Sequence, residues 1–182
     1  MSETLHFEPA MDRLDLLALP VAAAIREWSG ATPVTELWAT EIDPEAADTA
    51  GFCERYGIVL AESANCVIVE ARRGGMTRLA ACMILATTRA DINGLARRHL
   101  GAKRASFAAM DKAVAETAME YGGITPIGLP ADWPVLVDAA AAKAPRVIIG
   151  SGLRRSKLSV PGSALANLAN AEVLDDLGRS LA

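Results

Sequence analysis

Histidine and cysteine are scarce in this chain of 182 residues, and the scarcity removes several chemistries at once. The two histidines, His6 and His99, stand far apart in unrelated contexts and read as surface residues. A His-rich metal site or a Ser-His-Asp triad has little to draw on. The cysteines, Cys53, Cys66 and Cys82, are odd in number and contain no Cys-x-x-Cys, so neither a disulfide framework nor a zinc site is indicated. No cofactor and no metal is expected. No apolar run approaches the roughly 20 residues that cross a bilayer. The N-terminus, Met-Ser-Glu-Thr-Leu-His-Phe-Glu, is acidic and lacks the basic-then-apolar order of a signal peptide. The expectation is a cytoplasmic protein without membrane contact.

Net charge of −4 conceals an asymmetry. Residues 1–70 carry three basic against thirteen acidic residues, and residues 71–182 carry fifteen against nine. A basic C-terminal part can hold a polyanion by neutralising phosphates even in an acidic protein. Two solvated faces that merely balance each other would give the same counts.

The stretch Tyr121-Gly-Gly-Ile-Thr-Pro-Ile-Gly128 looks like the point around which the chain is organised. Its glycines admit close approach of backbone or ligand, and Pro126 pushes Thr125 towards an extended conformation. It reads either as a helix-to-strand connection with a glycine cap, or as a nest of backbone N–H groups for an anion or carbonyl.

Helical spacing from Pro9 to Trp28 predicts a helix bent or split at Pro20. Val34–Thr40 alternates as a strand, and Asp43-Pro44-Glu45 reads as the start of a helix ending at Gly57. Cys66–Ala71 and Thr77–Thr87 flank the turn Arg72-Arg73-Gly74-Gly75, and the run Leu79–Ala86 predicts a strand buried on both faces. Asp91 caps a helix to about Leu100, Lys103–Phe107 is a short strand, and Met110–Met119 is a helix. Strands at Pro134–Asp138, Arg146–Gly150 and Lys157–Val160 follow, then a helix from Pro161 and an edge element near Val173. Strands that come singly and in hairpins between helices predict an α+β fold: one mixed, mostly antiparallel sheet with flanking helices.

Gly150-x-Gly152 invites a dinucleotide reading, but the third glycine falls on Arg155 and a strand follows, so the Rossmann reading fails. No Walker loop, Gly-x-Ser-x-Gly elbow or His-Glu-x-x-His is present. Two glycine loops remain, one carrying Thr125 and leading to Asp138, the other flanked by Arg154, Arg155 and Lys157.

These residues resemble a family. Gly122-Gly-Ile-Thr-Pro-Ile-Gly128, Trp133-Pro-Val-Leu-Val-Asp138 and Val147-Ile-Ile-Gly-Ser-Gly-Leu-Arg154 ahead of Lys157-Leu-Ser-Val-Pro161 are similar to the YbaK/EbsC family, the aminoacyl-tRNA deacylase domain that occurs alone or within prolyl-tRNA synthetases. The resemblance covers roughly residues 34–178, leaving 1–33 as an N-terminal helical segment. It implies binding of the tRNA 3′ end and hydrolysis of the ester of a mischarged tRNA, typically cysteine or alanine on proline tRNA. An aminoacyl-tRNA synthetase is a second candidate partner. Backbone N–H groups of Gly122 and Gly123 would stabilise the oxyanion, with Asn65, Cys66 and Asp138 lining the amino-acid pocket. Thr125, Gly150, Ser151, Gly152, Arg154, Arg155 and Lys157 are the candidate substrate-binding set, with Arg97, Arg98, Lys103 and Arg104 as further phosphate contacts.

One departure matters. The family places a substrate-contacting lysine at the start of a strand, where this sequence reads Ser63-Ala-Asn-Cys66-Val-Ile. The position falls on Cys66, with Asn65 beside it, and neither replaces an ammonium. Two readings follow: a free-standing deacylase with a modified pocket, or a non-catalytic relative that binds aminoacyl-tRNA, an amino acid or a partner protein in the same groove.

Overall fold

The apolar run at Leu79–Ala86 does form a strand buried on both faces in the computed structural model, which describes residues 3–181. Leu79, Ala81 and Met83 enter one core while Ala80, Cys82 and Ile84 enter the core on the opposite face. Around this strand the chain lays down β1 (Glu8–Pro9), β2 (Trp38–Glu41), β3 (Ala64–Arg73), β4 (Met76–Leu85), β5 (Thr88–Ala90) and β6 (Arg104–Phe107). The series continues with β7 (Val135–Asp138), β8 (Val147–Gly150), β9 (Ser156–Val160), β10 (Ala171–Leu174) and β11 (Gly178–Ser180). The α-helices are α1 (Leu19–Arg26), α2 (Thr49–Tyr56), α3 (Arg97–His99), α4 (Met110–Thr117), α5 (Ala139–Lys143) and α6 (Gly162–Ala166). The class is α+β. None of the described helices is long and apolar enough to cross a membrane.

The strands form three sheets rather than the single sheet expected. A mixed five-stranded sheet has the order β10-β7-β4-β3-β6, an antiparallel four-stranded sheet has the order β1-β2-β9-β8, and β5 pairs with β11. The two main sheets touch through a lone parallel bridge between Ser63 and Ile148. Beside that bridge a gap lined by residues of β3, β8 and β9 lies between them.

Local departures from the sequence expectations have local causes. Pro20 starts α1 instead of bending it, because a proline in the first helical turn has no N–H bond to lose. The residues before it form two 3-10 turns, Ala10–Asp12 and Leu14–Leu16. Val34–Glu36 is likewise a 3-10 turn, and the strand begins only at Trp38. Asp43 caps the short turn Pro44–Ala46, while Asp48 accepts from the Gly51 N–H and caps α2, which Gly57 closes in the left-handed region. Residues Ala10, Leu16, Val21 and Ile25 of the N-terminal part lie in the same core as the sheet residues Met83, Val135 and Ile149.

Candidate active site

A cavity of about 340 Å³ occupies the gap between the sheets. Ser63 with the start of β3 (to Val67), the end of β8 (Ile148 to Gly150) and β9 supply its walls, and α2 with the residues before it supplies another. The first glycine loop closes it through Tyr121, Gly122 and Ile124. Trp133 lies in the core and no methionine lines the cavity, so the space stays open.

Lys157 is the buried cation of this cavity, which Arg154 also lines. It sits on β9 opposite Gly150, and its side chain is buried at 7% exposure. Its Nζ donates to the Ala47 carbonyl at 2.7 Å and lies 5.3 Å from the centre of the Phe52 ring. Two of the three ammonium hydrogens therefore remain for a ligand. Burial pushes the Lys157 pKa down to about 8, against the opposing pull of Asp48.

Asn65 and Cys66 are half-buried on the cavity wall. Thr49 Oγ1 donates to Asn65 Oδ1 at 2.6 Å, which turns the Asn65 amide N–H₂ free to donate elsewhere. Burial pushes the Cys66 thiol well above its usual range, with neighbouring Cys82 adding to the shift. A thiol held neutral is a poor nucleophile, so Cys66 acts as wall.

The glycine loop divides its backbone groups differently from the sequence expectation. Gly123 is no free donor: its N–H bonds the Glu120 carbonyl at 2.9 Å and its own carbonyl accepts from the Gly152 N–H at 2.7 Å. A Cβ at Gly123 would lie 2.6 Å from the Leu153 oxygen, so its role is close packing of the two glycine loops. Gly122 and Ile124 line the cavity, and their N–H groups have no hydrogen-bond partner among the described residues. Gly122 holds φ +86°, a conformation that glycine adopts at no steric expense. Arg154 pins this arrangement, donating to the Tyr121 carbonyl at 3.1 Å and the Pro44 carbonyl at 2.9 Å while its N–H bonds Glu120 at 2.6 Å. Its guanidinium thus ties the first glycine loop to the turn before α2 at the cavity wall.

Other candidates fall outside the cavity. Asp138 caps α5 through the Ala140 N–H at 3.2 Å and accepts from the Gly178 N–H at 2.8 Å. Both oxygens serve backbone, and Asp138→Ala is expected to lower stability by about 2 kcal/mol while leaving kcat unchanged, a contrast read from urea midpoints beside turnover. Thr125 is fully buried with a hydroxyl that finds no partner among the described residues. Ser151 Oγ engages Ser156 Oγ at 2.7 Å and folds the second glycine loop on itself. Gly152 packs against Ala18 and Val21 of the N-terminal segment. Arg155 donates to the Asp15 carbonyl at 2.6 Å, away from the cavity.

Arg97, Lys103 and Arg104 line a separate basic cavity with Arg72, and Arg98 is exposed beside them on α3. No residue of the acidic N-terminal third other than Glu70 lines it. Sequence reasoning missed Asp48, Thr49 and Phe52. The signal was present: a second acidic cap five residues after Asp43 places the true helix start, and with it the wall. Among the described residues no group of three or more His, Cys, Asp or Glu side chains clusters to hold a metal ion.

A family model for the aminoacyl-tRNA editing domain matches residues 43–168. No curated protein matches the chain. Among solved structures, a candidate trans-editing enzyme for prolyl tRNA synthetase superposes with a TM-score of 0.73 at 19% identity, covering 90% of this chain and 97% of that one. A scaffold used for computational epitope grafting gives 0.73 at 20% identity over the same shares. A hypothetical protein gives 0.68 at 20% identity, covering 78% of this chain and 90% of the other. At such identities these likenesses speak to the fold. The family match spans the cavity walls from Asp43 through both glycine loops to α6, and by it the chain belongs to the aminoacyl-tRNA editing domain family.

Proposed function

We propose that the chain hydrolyses the ester of a mischarged aminoacyl-tRNA carrying a small amino acid, with Lys157 standing in for the cation that β3 lacks. The observation that carries this reading is the shared cavity: Lys157, Asn65, Gly122 and Ile124 all line one space, and the Asn65 amide and the Gly122 and Ile124 N–H groups have no partner among the described residues. Water attacks the ester carbonyl, and the negative charge that develops on its oxygen is met by these donors. Each donor aimed at such an oxyanion is worth roughly 3–4 kcal/mol of barrier. The carbon–oxygen bond to the terminal ribose then breaks, the ribose oxygen takes up a proton, and free amino acid and tRNA leave. Phe52, Ile148 and Ile149 bound the space for the side chain, a second sieve that admits small residues.

The test is deacylation of a panel of 3′-labelled aminoacyl-tRNAs, with cysteine and alanine on proline tRNA among them. At least one small mischarged species should be hydrolysed above its spontaneous rate, and its cognate prolyl ester spared. Undiminished tRNA binding without hydrolysis of any species would make the protein a binder on this scaffold and overturn the proposal.

A further inference from the structure

The lining of the cavity contains a carboxylate that the chemistry above leaves unused. Among the described residues Asp48 is the single acid on a lining that also carries Lys157 and Arg154. Its Oδ1 accepts from the Gly51 N–H at 3.0 Å and so caps α2. Its Oδ2 has no hydrogen-bond partner and no ion pair among the described residues. The residue beside Oδ2 is a glycine, where a Cβ would already lie 3.1 Å away, so no side chain crowds that oxygen. A cap needs one oxygen, and asparagine or serine would supply it as well as aspartate does. The second oxygen and the full negative charge are left over.

An aminoacyl ester carries a charge of its own one carbon from the bond that breaks: the α-ammonium. Two cations on the lining would repel it, and a carboxylate on the same lining reverses that sign. Other acceptors nearby are already engaged. Asn65 Oδ1 accepts from Thr49 at 2.6 Å, and the Ala47 carbonyl accepts from Lys157 at 2.7 Å. The negative charge of Asp48 favours the Lys157 ammonium, so the two groups lie within electrostatic reach of each other. A substrate that sets its carbonyl oxygen towards Lys157 therefore has Asp48 close by for the nitrogen one carbon away.

We infer that Asp48 binds the α-ammonium of the aminoacyl ester, which makes a free α-amine a condition of hydrolysis and spares N-acylated esters, formylated and peptidyl esters among them. The inference rests on the deacylase reading of the cavity and names a specificity residue within it. Acylation turns the ammonium into a neutral amide with a single N–H and added bulk. The charge-assisted bond is lost, and the carboxylate is left beside a group that cannot neutralise it. The enzyme would then act on the direct product of an aminoacylation reaction and ignore the same ester once its nitrogen has been acylated.

The experiment takes the aminoacyl-tRNA of the panel that is cleaved fastest and compares it with its N-acetyl derivative, in the wild type and in Asp48→Asn. Asparagine keeps the helix cap and removes the charge. In kcat/KM the wild type should prefer the free-amine ester by about 10²-fold. In Asp48→Asn the preference should fall to about threefold or less, through loss on the free-amine ester. Removing the Asp48 charge also disfavours the Lys157 ammonium, an effect that both esters share and that cancels in the ratio. An unchanged ratio in Asp48→Asn, or equal cleavage of both esters by the wild type, would overturn the inference and leave the deacylase reading standing. Binding of L-alaninamide and N-acetyl-L-alaninamide, followed by NMR chemical-shift titration, separates the two readings. If no ester is hydrolysed, yet alaninamide binds about tenfold tighter than its acetyl form and Asp48→Asn abolishes the preference, the inference stands and the deacylase reading falls. Absence of both hydrolysis and preference would overturn both.

Discussion

Lys157→Met is expected to reduce kcat/KM for the edited aminoacyl-tRNA by about 10²–10³-fold while leaving the protein as stable as before or more so. The two effects share one cause. Lys157 holds a positive charge on a buried side chain, and that burial lowers its pKa to about 8 from the 10.5 of a free lysine. A shift of that size corresponds to about 3 kcal/mol against the charged form. Methionine keeps the straight chain and removes that term, at the expense of the bond to Ala47 and the contact with Phe52. A net gain of about 1 kcal/mol is expected.

The sign of the pH dependence follows. Between about pH 8 and pH 10.5 the folded state has released the Lys157 proton while the unfolded state still holds it. Stability therefore rises with pH through that window. On the proposed mechanism activity should fall through the same window, because the ammonium assigned to the oxyanion is lost. Turnover and urea midpoints measured from pH 7 to pH 10 should move in opposite directions for the wild type. In Lys157→Met this part of both dependences should vanish. Near-wild-type turnover by Lys157→Met would remove the lysine from the mechanism.

Gly150→Ala should act in the opposite sense, on stability first. A Cβ at Gly150 points into the Gly123 carbonyl, inside contact distance, and lies 2.7 Å from the Ile124 carbonyl. Both obstacles are backbone, and Gly123 is itself held by the Glu120 carbonyl and the Gly152 N–H, so neither can swing aside. A loss of about 3 kcal/mol or more is expected, at the upper end of overpacking effects. What remains folded should turn over slowly, because displacing Gly123 and Ile124 also moves the free N–H groups of Gly122 and Ile124. Urea midpoints and single-turnover rates read the two parts separately. Unchanged stability would show that the glycine loops do not interlock in solution.

These two residues also show how much of the molecule can be read without coordinates. The α+β class, the central strand, the hairpin at Gly74-Gly75 and the helix caps Asp91 and Gly57 are written in periodicity and turn chemistry. Such signals act over a few residues, so a linear reading finds them. Pro20 and the start of α2 were misplaced by a turn for the same reason: the helix was recognised, but Pro20 opens its helix instead of bending it, and Asp48 rather than Asp43 caps α2. The division into separate sheets was not legible, because sheet membership depends on strands far apart in sequence, such as β2 and β9. The strand pair β5 and β11, three residues each, lies below the length at which alternation gives a signal.

For the site, sequence alone determined the inventory: two glycine loops, a β3 start without a charged side chain, and few residues able to act as acid, base or metal ligand. Tertiary structure decided which members of that inventory meet. It gave Asp138 and Ser151 to backbone caps and loop closure, left Gly122 and Ile124 with free N–H groups, and committed Gly123 to packing. It also brought Lys157, ninety-one positions after Cys66, to the same cavity. The reason is physical. A hydrogen-bonding group is available for chemistry only when no neighbour claims it, and the neighbours are supplied by distant segments. A charge works as a catalyst according to its desolvation, which a sequence does not specify and the burial of Lys157 does.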